Sequence, residues 1–165
     1  MSSRVQEHVR HRGGLGAEGH ALTPAAGLLD RIGGRATVER LVETLYDRIE
    51  ADADLRPMFI AHLDGERAKQ KDFFCEWLGG EPEWTRHHAY NGLLHRHSHI
   101  HITRKAADAW LAHFEFALRA AVESPEHRAD ILQVIRPLAL SFVNEKTPPA
   151  RPVDLRSRRL AGTSL

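Results

Sequence analysis

Thr37-Val38-Glu39-Arg40-Leu41-Val42-Glu43-Thr44-Leu45-Tyr46-Asp47-Arg48-Ile49 places apolar side chains at Val38, Leu41, Val42, Leu45, Tyr46 and Ile49. Those intervals line one stripe of a cylinder turning about 100° per residue, so the segment reads as a helix with one face committed to a core. Gly33-Gly34 frees the turn before it, and the helix runs to about Ala51. A short element from Asp54 follows with Leu55, Met58 and Phe59. A third segment runs from about Gly65 to Leu78 and ends at Gly79-Gly80, where glycine can take the left-handed conformation that closes a helix. Pro82 then acts as a stop. Thr103 caps a long helix with Ala106, Trp110, Leu111, Phe114, Ala117, Leu118 and Ala121 on one face. Ser124-Pro125-Glu126 opens a last helix to about residue 145, which Pro137 should bend. Only His95 to Ile102 alternates apolar and polar residues. The fold class expected is all-α, without internal repeats.

The chain has 165 residues, 42% hydrophobic and 27% charged, which suits one soluble globular domain. No apolar run approaches the ~20 residues that span a bilayer, and the first residues lack the pattern of a secretory signal. A cytoplasmic location is expected. Twenty-three basic against 22 acidic residues give +1, a field too weak to gather nucleic acid or an anionic membrane. The single Cys75 excludes internal disulfides, a four-cysteine zinc site and covalent Cys-x-x-Cys-His haem attachment. Residues 1–27 read as a flexible arm around Gly13-Gly14-Leu15-Gly16, residues 28–147 as the folded domain, and residues 148–165 as a basic tail. Twelve histidines are many for this length, and His87, His88, His95, His97, His99 and His101 crowd into one short stretch.

Several ordered features between Leu28 and Lys146 resemble the truncated haemoglobins, and within them group II. They are Asp30-Arg31-Ile32-Gly33-Gly34, Leu45-Tyr46-Asp47-Arg48, Asp54-Leu55-Arg56-Pro57-Met58-Phe59, Lys69-Gln70-Lys71-Asp72-Phe73, Arg96-His97, Ala109-Trp110-Leu111 and Phe142-Val143-Asn144. The resemblance implies a globin-like, shortened two-over-two helical sandwich around haem b. His97 aligns with the proximal histidine that holds the iron, while Tyr46, Phe59, Gln70 and Trp110 align with positions around the distal side. The implied ligands are O2, CO and NO. Redox turnover such as nitric oxide dioxygenation or peroxide reduction would need an external reductase.

The chemistry of these side chains suits that assignment. Tyr46 offers O–H, Gln70 N–H and Trp110 an indole N–H to a ligand that draws electron density from iron, whereas Phe59 can only pack on the porphyrin face. Two donors worth about 1.5–3 kcal/mol each would slow ligand escape about a hundredfold or more, which suits retention and redox chemistry better than delivery. Departures from the family pattern also stand out. His88-Ala89-Tyr90-Asn91 replaces the usual stretch before the proximal histidine, and His99-Ile100 replaces the Pro-Phe after it. Glu66 aligns with the position facing the distal entrance, where the family often has a small residue, so it should swing into solvent or pair with a nearby Arg or Lys that binds a haem propionate.

Two other readings remain open at this level. A haem-free globin-like domain would serve as a sensor or interaction module through its arms. Alternatively, His95, His97, His99 and His101 would share one face of an extended segment and chelate zinc, nickel or copper. Tyr46, Phe59 and Trp110 are also ordinary core residues by spacing alone, and Gln70 an ordinary surface one. Trp77, Trp84 and Cys75 read as packing.

Overall fold

In the computed structural model the described residues are 26–59, 62–87 and 96–145. Every regular element among them is helical: α1 (Leu28–Arg31), α2 (Gly34–Ala51), a 3-10 turn (Arg56–Met58), α3 (Asp64–Trp77), α4 (Glu83–His87), α5 (Arg104–Ala121) and α6 (Pro125–Ser141). The stretches read as terminal arms lie outside the described residues, except for Ala26 and Gly27.

The stripe of α2 is buried along its whole length, from Val38 to Ile49, with Tyr46 only 4% exposed. It packs against α3 on one side and α5 on the other, and α5 in turn packs on α6. The result is two helix pairs, α2 with α3 and α5 with α6, joined mainly through the α2–α5 contact. Leu45, Phe74, Phe114, Leu118 and Ile131 fill the space between them. Truncating a fully buried residue such as Leu45 to Ala would cost about 2–5 kcal/mol, because lost transfer energy and a residual cavity add.

Local chemistry sets the helix ends. Gly33 has φ +100°, and a Cβ there would sit 2.8 Å from Thr37 Oγ1, so the sharp entry into α2 requires glycine. Gly79, at φ +99°, closes the turn after α3, where its backbone faces Gly27. Thr103 caps α5 by accepting from Ala106 N–H at 3.1 Å, and Ser124 caps α6 by accepting from His127 N–H at 3.3 Å.

Three expectations are corrected. Helix α6 ends at Ser141 rather than near residue 145, because Asn144 and Glu145 turn away to bond the strip before α5. Pro82 does not simply stop the chain: α4 begins directly after it, and α1 was not read at all. The alternating run does not form an extended face of histidines. Arg96 and His97 are helical, Ser98 and His99 form a turn, Ile100 lies in a bend, and residues 101–103 have no regular structure. His95 lies outside the described residues, and among those described no group of three or more His, Cys, Asp or Glu is placed to hold a metal ion. No described helix is long and apolar enough to cross a membrane.

Cross-helix ion pairs lock α3 onto α2. Arg67, with its side chain 11% exposed, donates to Glu43 at 2.6 Å, Asp47 at 2.9 Å and Glu50 at 3.0 Å, three carboxylates from successive turns of α2. Lys71 adds a second bond to Glu43.

Candidate functional site

Between the two helix pairs lies a cleft with about 920 Å³ of atom-free space, part of it open to solvent. Its walls are mostly apolar. The connection from α2 to α3 gives Leu55, Met58 and Phe59, and α3 gives Phe73 and Phe74 beside Gln70. The strip before α5 contributes His97, Ile100 and Ile102, while α5 contributes Ala106, Ala107 and Trp110. Helix α6 contributes Ile135, Leu138 and Ala139, and Phe142 follows directly after its last residue. All five residues singled out from the sequence, Tyr46, Phe59, Gln70, His97 and Trp110, line this one cavity.

Tyr46 enters from α2 with its ring edge-on to Phe59, centroids 6.1 Å apart at 73°. Trp110 stacks on Phe114 at 5.2 Å, which fixes the plane of its indole. Among the described residues, none pairs with the Tyr46 hydroxyl, the Gln70 amide or the Trp110 indole N–H. Among the described residues no fully buried side-chain polar atom lacks a partner, so these three groups are not sealed inside the core. Burial pushes the Tyr46 hydroxyl well above its ordinary pKa. The Glu66 carboxylate adds to that shift, and the Arg67 guanidinium, 5.5 Å over the ring, opposes it. Tyr46 therefore keeps its proton and remains a donor across the working pH range.

His97 comes from a different wall. Its ring lies flat on Phe142, centroids 4.1 Å apart at 9°, and it is the one imidazole among the described lining residues. Glu66 is not part of the lining. It pairs with Lys69, one turn further along α3, with Nζ donating to Oε1 at 2.7 Å. Cys75 is buried in the core and its thiol is pushed up by that burial, so it behaves as a small apolar residue.

A family model described as bacterial-like globin matches residues 27–144. The chain is a bacterial-like globin. Haem-based binding of gases is that family's general activity. Among curated relatives, this globin is 38% identical over 79 residues to the group 2 truncated hemoglobin YjbI of Bacillus subtilis, a match covering 48% of this chain and 60% of that one. It is 34% identical over 117 residues to the group 1 truncated hemoglobin GlbN of Mycolicibacterium paratuberculosis, covering 69% and 82%. Solved structures agree on the fold. Hemoglobin from Chloroflexus aurantiacus superposes with TM-score 0.69 at 33% identity, over 72% of this chain and 98% of that one. The truncated oxygen-avid haemoglobin from Bacillus subtilis gives 0.67 at 32%, over 71% and 98%. The globin is thus a truncated, two-over-two haemoglobin similar to group II.

Sequence reading missed much of the lining. Phe73 follows Gln70 by one turn of α3 and Ala106 precedes Trp110 by one turn of α5, so helical spacing from the chosen residues could have found both. Ile100 and Ile102 were visible as the inward half of the alternating run. Phe142 was singled out only within Phe142-Val143-Asn144, with no role in the site attached to it. The altered stretch His88 to Asn91 lies outside the described residues.

The residues present fit haem. Aromatic and aliphatic walls suit a flat apolar macrocycle, three alanines leave it breadth, and the lining includes one imidazole together with three residues, Tyr46, Gln70 and Trp110, that carry hydrogen-bond donors.

Proposed function

We propose that this globin binds haem b without covalent attachment, with His97 as the proximal ligand, and retains a diatomic gas beside Tyr46, Gln70 and Trp110. When bound, haem would supply an iron able to take O2, CO or NO and share electron density with it. His97 contributes a neutral nitrogen lone pair, and Phe142 restricts the ring's rotation by covering one face. Phe59 packs on the ligand side without offering a hydrogen bond. Tyr46, Gln70 and Trp110 supply donors whose attraction grows with the negative charge on the ligand, so they favour O2 over nearly neutral CO. With about 1.5–3 kcal/mol per donor to a charged acceptor, two aligned donors slow release about a hundredfold or more. That supports retention and redox chemistry over delivery, with electrons for NO or peroxide turnover drawn from a partner reductase. A cytoplasmic setting with neither nucleic acid nor membrane as partner goes with this reading.

The observation that carries the proposal is that one cavity brings together His97 and three donors that are not spent on described residues. Haemin titration of the purified full chain tests it. A Soret band growing to one equivalent, shifting with CO after reduction, is expected; a chain that takes up no haemin overturns the reading.

A further inference from the structure

Phe142-Val143-Asn144 stood out in the sequence, yet only Phe142 belongs to the cavity. Asn144 lies just past the end of α6, exposed to solvent. Its contacts run to the strip that follows His97. Ile102 N–H donates to Asn144 Oδ1 at 2.9 Å, Asn144 N–H donates to the Ile102 carbonyl at 3.0 Å, and Asn144 Nδ2 donates to the Ile100 carbonyl at 2.7 Å. Glu145 extends the seam by accepting from Arg104 N–H at 3.0 Å.

The far side of the same strip is the cavity wall. Ile100 and Ile102 face inward, with His101 exposed between them. Ile100 N–H also donates to the His97 carbonyl at 3.1 Å, so His97 through Ile102 forms one hydrogen-bonded unit that Asn144 fastens from behind. Two residues before Asn144, Phe142 lies flat on the imidazole. The end of α6 therefore grips this unit twice, by an amide on its outer edge and by a ring on the histidine itself.

The asparagine side chain matches this task. A short planar amide carries a donor and an acceptor side by side, and both are used on carbonyl and N–H groups two residues apart. Aspartate would keep the acceptor for Ile102 N–H but set a second acceptor against the Ile100 carbonyl. Alanine would lose both bonds. Because Asn144 is exposed, neither change opens a hole in the core.

Resting on the haem reading above, we infer that Asn144 is a positioning residue for His97: by holding Ile100–Ile102 to the end of α6, it sets the angle at which the imidazole meets the cofactor. Groups outside the ligand itself tune a metal-binding histidine through its orientation, and losing one typically weakens the site about 10- to 100-fold.

The test uses the full chain loaded with haemin, as wild type, Asn144→Ala, Asn144→Asp and Ser124→Ala. Ser124 caps the opposite end of α6, so its loss weakens the same helix without touching the seam. Two readouts are followed: the iron–imidazole stretching band of the reduced protein by resonance Raman, and the rate of haemin transfer to excess apomyoglobin. Both Asn144 variants should shift or broaden the band and lose haemin about 10- to 100-fold faster. Ser124→Ala should melt earlier but keep the wild-type band and loss rate. Wild-type values in both Asn144 variants overturn the inference, as does an equal change in Ser124→Ala. A wild-type chain that takes up no haemin removes the functional reading and this inference with it, an outcome separate from a loaded wild type whose variants behave alike.

Discussion

Tyr46→Phe separates a ligand-facing hydroxyl from a structural one. The tyrosine is 4% exposed, its ring meets Phe59 edge-on at 6.1 Å, and no described residue pairs with its hydroxyl. Phenylalanine keeps the ring and nearly all the volume. If the O–H serves the ligand, its loss removes one hydrogen bond to a charged acceptor, about 1.5–3 kcal/mol, and speeds O2 release about 10- to 100-fold. CO carries less charge and its release should change far less. Stability of the haem-free chain should stay within about 0.5 kcal/mol, because no protein partner is orphaned. Stopped-flow displacement of O2 by CO gives the rate, and urea melts of the haem-free variant give the stability. An unchanged O2 release rate, or a large loss of stability with no kinetic effect, would refute the assignment of this hydroxyl to the ligand.

Other changes probe the frame around the site. Arg67→Lys keeps the charge but not the fork that reaches Glu43, Asp47 and Glu50 together, so denaturant melts should show about 1 kcal/mol lost, shrinking at high salt. Gly33→Ala must hold φ +100° and press a methyl on Thr37, at a cost of about 1–3 kcal/mol in thermal or chemical unfolding. The carboxyl of Asp52 is held below its ordinary pKa chiefly by the hydrogen bond from His113, with Nε2 to Oδ2 at 2.7 Å. A lowered folded value means stability fully present above the unfolded pKa of about 4 and lost as pH falls through the folded one. Unfolding midpoints followed from pH 6 downward should therefore drop less steeply, at about pH 4 and below, in Asp52→Asn than in wild type.

The sequence disclosed most of the helical frame because its strongest signals are local. The six-residue stripe of α2 and the caps Thr103 and Ser124 depend only on nearby spacing and backbone geometry, and they stand where spacing put them. The end of α6 did not follow from spacing. Phe142 and Val143 continue the apolar pattern, but Asn144 and Glu145 find better partners in residues about forty positions away, and no local rule can see that. The four-residue α1 was equally illegible, since it exists through contacts such as Leu29 N–H to the Leu78 carbonyl at 2.9 Å.

Legibility of the site was uneven in the same way. Resemblance to the truncated haemoglobins marked five residues, and they converge on one cavity. Periodicity alone would have left Gln70 on the surface and His97 among its many neighbouring histidines. What singled out His97 was the order of the upstream motifs together with Trp110 thirteen residues beyond it, and what the structure adds is the wall it shares with Ile100, Ile102 and Phe142. Glu66 shows the limit of that reasoning. Sequence left its carboxylate either to solvent or to a cation, and only the fold names Lys69 as its partner.

The central claim is that His97 reaches the iron from inside this cavity, and replacing it with the smallest side chain tests that most directly. Haemin-loaded His97→Gly should lose or grossly alter the ferrous spectrum of the wild type and recover it when free imidazole is added to fill the space. A variant that keeps the wild-type spectrum without imidazole would show that another residue holds the iron.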